Sequence, residues 1–405
     1  MIAKSPAGPT QPAMTGVAQT EERTIKEQVV LVLQGGGALG AYQAGVYQAL
    51  MEGGIKPDWV IGTSIGAING AIIAGNEPEN RIARLHEFWT GVGKKTPIDQ
   101  LWPQLWPSSM FGNSLANLST IMGGIPGFFS PNPHAMWGPT FPLGIERASY
   151  YTTEPLKATL GRLVDFDYIN RRHVRFSVGA VNVRSSEMCY FDSHAMPLGP
   201  VHVMASGALP PAFPAVTIDG ESYWDGGIYS NTPIEVVLDD VPRRNSLIFS
   251  VNVWQPTGSE PTTIQQVMAR HKDIQFASRG KSHVARQAQI HRLRHVVREL
   301  TKRLPAELRD DPVVQDLAQY GCGTLMHLVR LLLPRLDGED HTKDIDFSRS
   351  GIERRWKAGH DHARKVLEHK PWEGAVDTLA GVVIHESDLM DHDERRVNPN
   401  LLSSR

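Results

Sequence analysis

The spacing of apolar positions along this chain predicts its elements. Residues 1–28 are rich in Pro, Thr, Gln and Ala and are expected to form a flexible tail. Val29-Val30-Leu31-Val32-Leu33 is then an unbroken apolar, largely β-branched run. Such a run predicts a strand covered on both faces, as in parallel sheets. A glycine loop follows, and Ala41 to Met51 reads as a helix. Trp59-Val60-Ile61 is a second short strand; it ends in Gly62-Thr63-Ser64-Ile65-Gly66, after which Ala67 to Ala74 reads as a helix. Strand, tight turn and helix, twice in succession, predict an α/β fold with a mainly parallel sheet.

Sheet character returns over 174–183 and 247–254, and Leu325 to Leu333 reads as another strand. Thr262 to Arg303 has helical character, with Leu293, Val296, Val297 and Leu300 on one face that is expected to pack on the body. Ser348 to Glu368 reads as a further helix, and the last twenty or so residues look loose. Residues 101–145 contain no Asp, Glu, Lys or Arg, yet hold seven prolines and many Trp, Phe and Met residues. Such a segment must pack on the body, line a cavity or meet a membrane or partner.

Composition narrows the class. Of 405 residues, 41 % are hydrophobic and 21 % charged, which suits a soluble globular chain. The two cysteines, Cys189 and Cys322, have no zinc-ligand spacing, and so few thiols fit a reducing compartment. The sequence shows neither a signal-peptide core nor a run of roughly 20 apolar residues. A cytoplasmic protein is expected, with any membrane contact peripheral. The net charge is -2, but residues 262–303 hold ten Lys or Arg against two Asp or Glu. A basic helix of this kind can lie on an anionic membrane. Nucleic-acid binding is not expected, because aromatic interleaving is lacking.

Two short motifs offer chemistry. Gly35-Gly36-Gly37-Ala38-Leu39-Gly40 satisfies G-x-G-x-x-G, so dinucleotide binding is one reading. Asp58 lies 18 residues beyond Gly40. However, a ribose-binding acid belongs at the end of the second strand, and Asp58 precedes that strand. The other reading is an oxyanion hole, in which backbone N–H groups face a tetrahedral acyl intermediate. Gly62 to Gly66 matches G-x-S-x-G, which exposes a serine on a sharp strand-to-helix turn. The bland alternative is that Ser64 merely caps a helix. Downstream histidines, including His271, His283, His291 and His295, lie in a charged helical stretch and are expected to be solvated rather than catalytic. Asp225-Gly226-Gly227 follows Trp224, and could simply begin a turn.

Glycine loop, G-x-S-x-G and a distant Asp-Gly-Gly occur here in that order. Ala205-Ser206-Gly207-Ala208-Leu209-Pro210, Phe213-Pro214 and Asn231-Thr232-Pro233 accompany them. With these motifs, residues 29–240 resemble the patatin-like phospholipase family. The resemblance implies a patatin-like fold, its mainly parallel central sheet flanked by helices, and a Ser–Asp dyad needing neither histidine, metal nor cofactor. Ser64 would be the nucleophile and Asp225 its base, with Gly62, Gly66, Gly226 and Gly227 supporting the two turns. Amides among Gly35, Gly36, Gly37, Ala38 and Gly40 would stabilise the oxyanion. Leu39 departs from the family, which commonly has Arg or Lys there. The substrate would be a lipid ester, phospholipid or neutral, and residues 101–145 would supply an acyl-binding cover through Phe128, Phe129 and Trp137. Lys343 to Trp356 resembles a C-terminal extension of some bacterial members, so 241–385 is expected to complete the sheet and add helices, with 386–405 a loose tail. A catalytically weak lipid-binding or scaffold protein, or a hydrolase of another intracellular ester such as a polyester, is the alternative.

Overall fold

The computed structural model describes residues 27–93, 123–337, 339–377 and 379–386, with side chains outside 278–282. Its frame is a nine-stranded sheet. The strands are β1 (Gln28–Leu33), β2 (Trp59–Gly62), β5 (Arg175–Asn182), β6 (Met188–Asp192), β7 (Val216–Ile218), β8 (Glu221–Asp225), β9 (Ser246–Asn252), β10 (Met326–Leu332) and β11 (Val382–Glu386). They run in the order β11-β10-β9-β1-β2-β5-β8-β7, with β6 also on β5. The five ladders from β11 to β5 are parallel, whereas β6, β7 and β8 join antiparallel. A separate ladder pairs β3 (Ser130–Pro131) with β4 (Tyr151–Thr152).

The apolar run of β1 is explained by its central place. Leu31 and Leu33 face the larger core with Val60 and Phe249, while Val30 and Val32 face a second core with Trp59, Ile61 and Ile248. Alternate side chains thus enter opposite layers, and both layers are apolar. The helices α1 (Ala41–Glu52), α2 (Ile65–Ala74) and α3 (Pro78–Val92) supply the larger core.

The region beyond residue 240 is built into this sheet through β9, β10 and β11 rather than set beside it. A 40-residue helix, α4 (Ile264–Arg303), lies between β9 and β10 in the chain, and its first turn is closed by a capping box of Thr263 and Gln266. Helix α5 (Arg349–His369) crosses α1 with the two backbones in contact. A side chain at Gly45 would strike the carbonyl of Trp356, and one at Gly359 the carbonyl of Tyr42.

Helix α4 does not pack by the expected stripe. Leu293 and Leu300 are exposed at 59 % and 60 %, whereas Val284, Gln287, His291 and His295 are buried. Nor are the last two histidines solvated. The Nε2 of His291 bonds the carbonyl of Leu238 at 3.0 Å, and that of His295 bonds the carbonyl of Thr324 at 2.8 Å. A buried helix face need not be apolar when backbone acceptors meet its polar side chains. Among the described residues, no helix is long and apolar enough to cross a membrane.

Candidate active site

Strand register brings the distant motifs to one place. Leu33 pairs with Gly62, and Gly62 with Val178, so the ends of β1 and β2 lie level. Asp225 pairs with Ala180, two residues beyond Val178. Ser64 lies two residues beyond Gly62 and therefore comes level with Asp225. At the opposite end of the sheet, the carboxylate of Asp58 accepts the N–H of Val29 at 2.9 Å. It holds the start of β1 and stands away from the glycine loop, as a ribose-binding acid would not.

Ser64 sits between β2 and α2 with φ 55° and ψ -122°. This is a strained conformation for a residue with a side chain, and the nucleophile turn of α/β hydrolases has this character. The turn closes only because its flanks are bare: a side chain at Gly62 would strike the Gly66 carbonyl, and one at Gly66 the Leu33 carbonyl. The Ser64 side chain makes no capping bond to α2. Its hydroxyl instead faces the carboxylate of Asp225, whose pKa it acts to lower. Its backbone N–H donates to the hydroxyl of buried Ser206 at 3.0 Å. Ser206 belongs to a stretch that the sequence marks, but its contact with the serine turn is purely tertiary.

Asp225 ends β8 and is 2 % exposed. Burial pushes its carboxyl up to about 7, although the facing Ser64 hydroxyl and the Gly227 N–H both act to lower it. The Gly227 bond is 2.7 Å, so Asp225 does begin a turn, as its glycines suggest, while also facing the serine. Gly226 and Gly227 form the short 3-10 turn that follows.

The glycine loop reaches the serine directly: a Cβ at Gly35 would lie 3.2 Å from that of Ser64. The loop's amides are not equally free. The N–H of Gly35 donates to the Asn231 carbonyl at 3.2 Å, and that of Ala38 to the Asp344 carbonyl at 2.8 Å. Those engagements leave Gly36 and Gly37 as the expected donors whose N–H groups have no partner among the described residues. Gly40 ends the short helical turn leading into α1, where its carbonyl accepts the Asn69 side chain at 2.9 Å. Leu39 is fully buried in the larger core, which suits an apolar residue where the family commonly has a cation.

Phe128 and Phe129 are each 9 % exposed and pack on Phe213 of the body; Phe128 also meets Phe88 and Phe347. Trp137 stands 59 % exposed and packs edge-on against Phe141. Trp102, Trp106, Met110, Phe111 and Met122 of the apolar segment lie outside the described residues.

A strained serine turn facing a buried aspartate at the ends of interior strands of a mainly parallel sheet defines an α/β protein organised around that turn. Two family models match the chain, patatin-like phospholipase over residues 31–238 and patatin phospholipase over residues 274–379. The chain belongs to the patatin-like phospholipase family. It is 36 % identical over 95 residues to patatin-like phospholipase domain-containing protein 7 of Rattus norvegicus, covering 22 % of this chain and 7 % of that protein. Lysophospholipase NTE1 of Cryptococcus neoformans is 26 % identical over 229 residues, 56 % of this chain and 12 % of its own. The chain thus spans only a small part of the curated relatives it matches. Among solved structures, VipD from Legionella pneumophila covers 85 % of this chain and 67 % of its own, at 15 % identity and a TM-score of 0.36. That overlay is too loose to carry an argument.

Proposed function

We propose that this chain hydrolyses carboxyl esters of lipids, phospholipid or neutral, through a Ser64–Asp225 dyad and an acyl-enzyme. One observation carries the reading: the strained turn at Ser64 sets its hydroxyl against the buried carboxyl of Asp225, which burial raises to about 7. An ordinary aspartate is too weak a base for a serine hydroxyl, and burial removes that deficit. Asp225 takes the proton as Ser64 Oγ attacks the ester carbonyl. The oxyanion of the tetrahedral intermediate is held by the Gly36 and Gly37 N–H groups. Collapse expels the alcohol, which receives the proton from Asp225. Water, deprotonated by the same carboxylate, then attacks the acyl carbonyl; the bond to Ser64 Oγ breaks, Oγ takes the proton back from Asp225, and the fatty acid leaves. The names of the relatives support a lipid substrate. A peripheral contact with an anionic lipid surface, through the basic α4, is the second part of the proposal.

The test is a panel of soluble esters and dispersed phospholipids and lysophospholipids. Ser64→Ala and Asp225→Asn should each remain folded and lose at least about a thousandfold in kcat/KM, with the double variant little worse, as for groups that act as one unit. An active Ser64→Ala protein would end the dyad reading. A wild type that binds lipid but hydrolyses no ester would make the chain a lipid-binding protein.

A further inference from the structure

The N–H groups of Gly36 and Gly37, without a partner among the described residues, are flanked by contacts of which two, from Trp254 and Asp344, arise outside the 31–238 region. The carbonyl of Gly35 accepts two side-chain donors, the indole Nε1 of Trp254 at 2.7 Å and Asn231 Nδ2 at 3.1 Å. In a planar trans peptide the C=O of one residue and the N–H of the next point in opposite directions. Two donors fixed on the Gly35 carbonyl therefore turn the Gly36 N–H away from Trp254.

Trp254 is itself held from several sides. It is 3 % exposed, and its backbone N–H donates to Gln34 Oε1 at 3.1 Å. Its ring packs on Phe276 of α4 at 4.9 Å, with Lys343 Nζ 5.3 Å from its centre. The indole also presses on the loop, since a Cβ at Gly36 would lie 3.2 Å from its Nε1. On the other flank the Asp344 carbonyl takes the Ala38 N–H, and the Asp344 carboxylate is tied to Lys272 of α4 at 2.7 Å.

We infer that Trp254 is a positioning residue for the oxyanion hole: its indole N–H sets the Gly35–Gly36 peptide plane and so aims the Gly36 N–H. This rests on the acyl-hydrolase reading above. A donor aimed at the oxyanion acts in the transition state and little in the ground state. Losing its alignment should lower kcat without raising KM.

Trp254→Phe removes the donor while keeping a ring against Phe276. With a soluble short-chain ester, kcat is expected to fall about tenfold, less than the roughly hundredfold or more for removing an oxyanion donor outright, because Asn231 still holds the carbonyl. KM should stay within about twofold. Affinity for a trifluoromethyl ketone, which forms a tetrahedral adduct with a catalytic serine, should fall by the same factor as kcat. Unfolding midpoint and far-UV circular dichroism are read in parallel. Should Trp254→Phe fail to fold, Asn231→Ala, which removes the other donor on the same carbonyl, is expected to give the same kinetic signature. An unchanged kcat, or a raised KM with ketone affinity intact, overturns the positioning role while leaving the dyad standing. A wild type inert toward both ester and ketone overturns the hydrolase reading and the positioning role with it.

Discussion

At the scale of single residues, Asp225 links chemistry to stability. As the proposed base it must be ionised, and its carboxyl is lifted to about 7. Thus kcat/KM for a soluble ester should rise with pH up to about 7 and level off above, since that parameter reports the free enzyme. A profile flat across this range would remove Asp225 as the base. The stability consequence has the opposite sign. Because the folded pKa is raised from 3.8, the folded state binds this proton more tightly than the unfolded chain. The stability contributed is complete below about pH 4 and is lost as pH rises through about 7. Asp225→Asn is neutral at every pH, so above about pH 8 it should melt higher than wild type, by an upper bound on the order of 4 kcal/mol. That advantage should vanish below about pH 4; a variant no more stable than wild type at high pH would contradict the burial argument. Ser64 and Asp225 stand out in the sequence because each sits in a contiguous turn motif. Trp254 and Asp344 do not, because they act on the loop across more than 200 residues of chain.

Elements were legible where one period dominates. The β1 run, the two strand-turn-helix units and the helix beginning after Ser348 all have local apolar patterns, and the structure places elements there. Helix α4 shows the limit: apolar periodicity finds a face that is apolar, whereas the buried face carries histidines bonded to carbonyls. The apolar segment 101–145 shows another. Its composition demands a cover but does not say which residues face inward. Phe128 is wedged among rings contributed by residues 88, 213 and 347, while Met136, Trp137 and Phe141 are exposed at 89 %, 59 % and 48 %. Phe128→Ala should therefore cost about 3–5 kcal/mol by denaturant titration, as for a buried aromatic. Trp137→Ala should stay within about 0.5 kcal/mol of wild type and leave short soluble esters unaffected. If Phe128→Ala were stable and raised KM only for long acyl chains, the residue would line the substrate path instead.

At the scale of the whole molecule, charge is segregated in a way the sequence already displays, while the surface it occupies emerges only in the fold. Residues 262–303 carry a net +8 within a chain of net -2, which leaves -10 for the rest. Three of those cations are ion-paired among the described residues, with Asp344, Glu299 and Asp377. Along α4, Ile264, Val267, Met268 and Ile274 are exposed at 81 %, 52 %, 47 % and 50 %. Their spacing of three, four and seven residues sets them near one stripe. Leu293 and Leu300 are exposed seven residues apart, with exposed Arg286, Arg292 and Arg298 nearby. Apolar side chains beside surface cations are what an interfacial helix needs: the former enter the acyl boundary and the latter meet anionic headgroups. Binding to vesicles containing phosphatidylglycerol should therefore exceed binding to phosphatidylcholine alone, and should weaken steeply as salt shortens the screening length to about 8 Å at physiological strength. Charge reversal by Arg286→Glu with Arg298→Glu should weaken cosedimentation with anionic vesicles. Val267→Asp should weaken binding to both kinds of vesicle, because it removes apolar contact rather than attraction. Neither change should alter hydrolysis of a short soluble ester, since α4 would bring the active site to its substrate without taking part in the chemistry. Equal binding to neutral and anionic vesicles, indifferent to salt, would mean that the basic helix serves the protein's own surface and not a lipid one.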